Sequence, residues 1–165
     1  MGIFRTPNAR KSSIEFIKSL SVVKKADFSP WAVYTQACHE TGFFYRVIGR
    51  NNYWGIKKPR DWHGPTARTL TKEWENDREI IKVAEFADWD TAEEALGFYT
   101  ALIERLYPDS YRCRSCHNCF FRNLISGKFK WATDPNYDRK LLTLYDMVRR
   151  EPEINLDFNQ FLPKE

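Results

Sequence analysis

Between Thr66 and Trp89 the chain alternates with period two, turns, and alternates again. Thr69, Thr71 and Glu73 interleave with Arg68, Leu70, Lys72 and Trp74. Beyond Glu75-Asn76-Asp77, Ile80, Lys82, Ala84 and Phe86 interleave with Ile81, Val83 and Glu85. Two such segments around an Asn-Asp turn predict a β-hairpin. Two strands alone bury too little apolar surface to stand by themselves. The remaining patterns are helical, so the fold class is α+β: a helical body with one small β-hairpin lobe. At 165 residues, without a linker, repeat or low-complexity tract, a single domain spanning 1–165 is expected, its last stretch (151–165) a polar tail.

The helices carry their own punctuation. Ser12 and Ser13 can cap a first helix bearing Ile14, Ile17, Leu20 and Val23. Ser29 and Pro30 open a second and Gly42 closes it, with Trp31, Tyr34, Ala37, Cys38 and Thr41 forming an inward stripe. Asp90 and Glu93 resemble a capping box before a stripe running from Ala92 to Leu106, and Pro108 ends it. A short helix is expected from Asn118 to Gly127 around Phe120, Phe121 and Leu124. Asp134-Pro135 marks the start of a last helix that buries Tyr137, Leu141, Leu144, Tyr145 and Val148. Residues 43–58 form an aromatic loop punctuated by glycine.

Glu40 is the awkward residue. It lies in the last turn of the Pro30–Gly42 helix, off the stripe, beside Gln36 and Ala37. The negative end of the helix dipole repels a carboxylate there, and apolar neighbours would desolvate it. Both effects favour the protonated form, which a general acid needs. The bland alternative is a solvated glutamate at a helix end. The aromatic share, 16%, suggests flat platforms for sugars or bases as well as core. A net charge of +4 favours an anionic partner, and both nucleic acid and an acidic cell-wall polymer qualify.

Three segments carry a resemblance: Gln36-Ala-Cys-His-Glu-Thr-Gly42, Asn51-Asn-Tyr-Trp-Gly-Ile-Lys57 and Trp131-Ala-Thr-Asp-Pro-Asn-Tyr137. With Thr71-Lys-Glu-Trp74 and Phe86-Ala-Asp-Trp89 between them, they resemble the glucosaminidase domain of glycoside hydrolase family 73, from about Trp31 to about Tyr145. That resemblance implies a lysozyme-like fold, with an α-lobe and a small β-lobe flanking a glycan groove. It also implies hydrolysis of the β-1,4 bond between N-acetylglucosamine and N-acetylmuramic acid in peptidoglycan. On it, Glu40 becomes the catalytic acid and Glu73 the answering carboxylate. A retaining pair would stand about 5 Å apart and an inverting pair about 6.5–9.5 Å. Glu75 shares the face of Glu73 if both lie on one strand, and an ion pair of Glu73 with Lys82 or Arg78 is the structural alternative. Tyr137 is implied as a site tyrosine that orients the sugar's N-acetyl group if that group attacks. Asp134 reads as an N-cap rather than an acid. Gln36, Asn52, Tyr53, Trp54, Lys57 and Trp131 are expected along the groove, Trp131 as platform or core. Lys57, Lys58 and Arg60 are candidates to meet wall carboxylates.

The cysteines depart from that pattern. Cys113, Cys116 and Cys119 enclose His117, a set that could ligate a structural zinc, form a disulfide outside the cell or remain free thiols. Cys38 reads as a small buried hydrophobe. Catalysis is expected to need no cofactor. The runners-up are a muramidase or lytic transglycosylase on the same fold and, in another class, a zinc-knuckle nucleic-acid-binding protein. The last explains the charge and the cysteines but leaves a glutamate inside its own site. The first residues lack the apolar run of a secretion signal and no stretch reaches membrane-span length. The expectation is a monomer without membrane anchor or nucleic-acid partner, made in the cytoplasm and acting on peptidoglycan strands after release.

Overall fold

The computed structural model describes residues 2–162, apart from the side chains of Trp74 and Glu75. Glu75 as a second carboxylate, Trp74 of the hairpin motif and residues 163–165 of the tail lie outside the described residues. Eight helices and one antiparallel pair of strands follow in order: α1 (Pro7–Ser19), α2 (Ser21–Lys25), α3 (Pro30–Thr41), β1 (Thr66–Glu75), β2 (Arg78–Ala87), α4 (Ala92–Leu106), α5 (Pro108–Arg112), α6 (His117–Asn123), α7 (Tyr137–Arg150) and α8 (Pro152–Phe161). This is the expected α+β architecture. No helix among the described residues is long and apolar enough to cross a membrane.

α3 is the axis of the body. Ser29 accepts from the Ala32 N–H at 3.3 Å, Pro30 occupies the first turn, and Gly42 ends the helix at φ 60°, ψ 57°. The expected stripe understates its enclosure. Ala32, Val33, Thr35 and Gln36 are buried along with Tyr34, Ala37, Cys38 and Thr41, because α2, α6 and α7 all pack on it. Its Trp31 stacks on Phe158 of α8, with ring centroids 3.6 Å apart.

Several boundaries differ from the sequence reading, four of them for a clear local reason. α1 starts at Pro7, capped by Thr6, whose hydroxyl accepts from the Ala9 N–H at 3.1 Å. Ser13, read as a cap, is instead buried in mid-helix, 2.8 Å from the Tyr34 hydroxyl. The capping box before α4 is Thr91 with Glu94, one residue later than Asp90 with Glu93. α7 begins at Tyr137, and Asp134 closes a turn ahead of it by accepting from the Asn136 N–H at 2.9 Å. The stretch after Glu151 is helical, not a polar tail: α8 buries Ile154 and Phe158, and Asp157 takes both guanidinium arms of Arg10.

The hairpin closes through Asn76 and Asp77 at φ 52° and 59°, the left-handed pair of a tight primed turn, and pairs Glu75 with Arg78 through Thr66 with Ala87. Its root is held by Asp88. This buried carboxylate accepts from the N–H groups of Arg50 (3.0 Å), Asn51 (2.9 Å) and Trp89 (2.9 Å). Gly49, at φ 60°, lets the loop come this close. A Cβ there would lie 2.4 Å from Asp88 Oδ2. Residues 56–58 then run along β2, with Ala87 N–H to Ile56 O at 3.1 Å and Lys58 N–H to Glu85 O at 3.0 Å. Loop and hairpin therefore form one wall facing the C-terminal end of α3.

Candidate active site

A cleft of about 830 Å³ lies between that wall and α3. Glu40, Arg46, Trp54, Lys57, Arg68 and Thr71 are among the residues lining it. Glu40 is half-buried at its edge. Two donors converge on one of its oxygens: Trp131 Nε1–H at 3.0 Å and the Tyr137 hydroxyl at 2.5 Å, both to Oε1. Trp131 sits there because its own N–H bonds Leu124 O at 2.8 Å, after α6, while its ring contacts Tyr99 and Tyr107. Tyr137 opens α7, which packs on α3.

Behind Tyr137 a buried chain of polar groups continues. Gln36 donates from Nε2 to the Tyr137 oxygen at 3.2 Å and accepts at Oε1 from the Tyr99 hydroxyl. The direction of the chain follows from its end. A carboxylate only accepts, so Tyr137 must donate to Glu40. It must therefore accept from the Gln36 amide N, which turns the amide O toward Tyr99. Burial, then the charge of Glu40, pushes both phenols well above the ordinary tyrosine range, so each stays a donor across working pH. A protonated Glu40 would keep Oε1 as the accepting carbonyl. Its proton would sit on Oε2.

This geometry sorts the expected residues. Glu40, Trp54 and Lys57 share the cleft, and Trp131 and Tyr137 hold Glu40. Trp131 meets Glu40 through its N–H, with its ring against Tyr99 and Tyr107. The Tyr137 hydroxyl, expected to orient an N-acetyl group, is hydrogen-bonded to Glu40 here. Gln36, Asn52 and Tyr53 are too deeply buried to touch a ligand. Asn52 instead ties the loop together, donating to Ile56 O (2.9 Å) and Ala87 O (2.8 Å) and accepting from Ile56 N–H (3.0 Å). Tyr53 packs edge-on to Phe16 and donates to Asn51 Oδ1 at 2.8 Å. Trp54 is also mostly core, stacked on Tyr99 at 4.2 Å.

Glu73 stands on the hairpin between two ammonium groups, Lys57 and Lys82, the latter at 2.5 Å. These partners lower its carboxyl below the usual range. It does not itself line the cleft around Glu40. The cysteines gather without forming a metal centre. Asn123 Nδ2 lies 3.3 Å from Cys113 Sγ and 3.4 Å from Cys119 Sγ, while Cys116 is exposed. His117, needed as the fourth zinc ligand, stacks flat on Tyr145 at 4.0 Å. Among the described residues no group of three His, Cys, Asp or Glu side chains is arranged to hold a metal ion. As placed here, the four side chains expected as zinc ligands do not converge on one point.

Sequence reasoning missed Tyr99 and Asp88. Asp88 was legible within Phe86-Ala-Asp-Trp89, but Tyr99 lay inside an ordinary helical stripe and carried no signal of its own. Residues 19–150 match the family model for glucosaminidase, described as mannosyl-glycoprotein endo-beta-N-acetylglucosaminidase. The peptidoglycan hydrolase FlgJ of Salmonella typhimurium is 29% identical over 127 residues, 73% of this chain. The match covers 40% of that relative, so the chain spans well under half of its length. Among solved structures, a C-terminally truncated glycoside hydrolase domain from Salmonella typhimurium FlgJ superposes with a TM-score of 0.67 at 25% identity, covering 86% of this chain and 97% of that one. A peptidoglycan hydrolase mutant from Sphingomonas sp. A1 shares the fold, with a TM-score of 0.69 at 22% identity over 92% of this chain and 99% of its own.

Proposed function

The chain belongs to the glucosaminidase family of glycoside hydrolases, and from that premise we propose that it hydrolyses the β-1,4 bond after N-acetylglucosamine in peptidoglycan. The observation that carries this reading is a cleft-edge glutamate with one oxygen saturated by two donors and the other left for a proton. Glu40 is the general acid. Its Oε2 proton passes to the glycosidic oxygen as the bond to the anomeric carbon breaks, and the sugar becomes oxocarbenium-like. Trp131 and Tyr137 then stabilise the carboxylate left behind, since both donate to it. Water then adds at the anomeric carbon, and its released proton restores the acid. Glu73, which stands on the hairpin outside the cleft lining in this structure, is proposed as the answering carboxylate. Its two ammonium partners keep it ionised, which suits stabilising positive charge or activating water and excludes it as the acid. Trp54 and Lys57 are proposed to line the path of the glycan strand, and no cofactor takes part. The relatives named as peptidoglycan hydrolases support the substrate class.

Digestion of purified peptidoglycan, followed by mass spectrometry of the fragments, tests the proposal. Reducing-end N-acetylglucosamine is expected. Reducing-end N-acetylmuramic acid would make the protein a muramidase, and 1,6-anhydro ends a transglycosylase.

A further inference from the structure

The three basic residues that the sequence offers for wall carboxylates are not the ones the fold leaves available. Lys57 is held by Glu73 and Lys58 by Glu85 at 3.2 Å, and Arg60 does not line the cleft. Two other cations do line it: Arg46, after α3, and Arg68, on β1. Among the described residues neither guanidinium has a hydrogen-bond or ion-pair partner. Glu85, opposite Arg68 in the strand register, is taken by Lys58 and by Thr66 at 3.4 Å.

Arg46 is there by construction. Gly42, Phe43 and Phe44 follow Glu40 closely with φ of 60°, 59° and 63°, a left-handed run that two phenylalanines disfavour. Thr41 secures it. Its hydroxyl donates to Ala37 O at 2.6 Å and accepts from Phe44 N–H at 2.7 Å, while Arg46 N–H closes on Thr41 O at 2.9 Å. The turn folds Arg46 back over Gly42, where a Cβ would stand 3.2 Å from Nη2 and 3.7 Å from Cζ. A strained turn thus holds an unpaired guanidinium just beyond the residue proposed as the acid, and Arg68 enters the same cleft from the hairpin.

We propose that Arg46 and Arg68 form a carboxylate-binding subsite that selects anionic glycan strands over neutral ones. Guanidinium forks bind carboxylates in two-point fashion, with more directional strength than an ammonium. The ligand is a carboxylate on the glycan, either the lactyl group of a sugar or an acid on its stem peptide. The inference rests on peptidoglycan being the substrate. It is tested by binding, so its failure is separable from that of the hydrolytic reading.

Calorimetric titration of the full chain carrying Glu40→Gln measures affinity without turnover. Three ligands are compared: strands stripped of stem peptides (lactyl carboxylates), intact strands (peptide carboxylates), and stripped strands whose carboxylates have been converted to amides. Arg46→Gln and Arg68→Gln, each added to Glu40→Gln, are expected to weaken binding of a carboxylate-bearing strand about tenfold, as loss of a charge-assisted pair does. Both should leave the Kd for the amidated strand unchanged, which also reports an intact groove. Loss on stripped strands alone assigns the lactyl carboxylate, and loss on intact strands alone assigns the peptide. Arg46→Lys should fall between wild type and Arg46→Gln. Equal losses on carboxylate and amidated strands, no loss on either carboxylate strand, or no binding of any strand overturns the subsite. Fragment analysis of wild-type digests then still judges the hydrolase reading by itself.

Discussion

At the scale of single residues, the site is a glutamate whose surroundings decide what it can do. On the proposed assignment, Glu40→Gln removes the proton given to the leaving oxygen and should lower kcat by about 10²–10⁴-fold in a peptidoglycan release assay. Trp131→Phe deletes one donor while leaving a ring, and about a tenfold fall in kcat with KM held is expected from a lost hydrogen bond to charge. Tyr99→Phe should cost roughly threefold, and nothing further in a Tyr137→Phe background, because both changes interrupt one chain. Multiplying losses in the double variant would show that Tyr99 acts elsewhere. The cysteines differ in reach. Burial and the neighbouring Cys119 push the Cys113 thiol up to about 11, whereas Cys116 is exposed. Iodoacetamide at pH 8 should therefore label Cys116 well before Cys113, as read by peptide mass spectrometry. The sequence exposed Glu40 through its misfit with the helix end. It could not show that Gln36 faces two phenols, since those come from helices 63 and 101 residues away in sequence.

At the scale of elements, the hairpin was the most legible feature, because period two and a turn pair are local properties. Its attachment was not. Asp88 binds three backbone N–H groups, two of them almost forty residues earlier, and Gly49 is the residue that lets them close. Gly49→Ala puts a methyl group inside Asp88 contact distance at a left-handed φ, and about 2–3 kcal/mol of lost stability is expected by chemical denaturation. The Glu73 pairs carry a sign in pH. A folded-state carboxyl held below its unfolded range stabilises above that range and loses its contribution as pH falls through the folded value. Wild type should therefore lose more of its high-pH stability on acidification than Lys57→Met/Lys82→Met does, in parallel denaturant titrations.

At the scale of the whole molecule, α8 is the piece that the chain's polarity concealed. Its charged residues read as a tail, yet Phe158 stacks on Trp31 of α3 and Asp157 bridges back to Arg10 of α1. Phe158→Ala should cost about 3–5 kcal/mol, the usual range for a buried ring, and thermal melting would check it. A loss under 1 kcal/mol would mean the last helix is an ornament. What the sequence determined by itself is what short-range physics writes: the capped, glycine-terminated helix that carries Glu40, the alternating ribbon, the aromatic stripes and the motifs of the family. Which groups meet was set by the packing of the whole chain. Tyr137 donates to Glu40, Asn52 and Tyr53 are taken up within the loop, His117 stacks on Tyr145, and among the described residues the Arg46 guanidinium, unlike Lys57, has no partner. A side chain's hydrogen bonds and neutralising charges come from residues far away in sequence, and no local pattern records them.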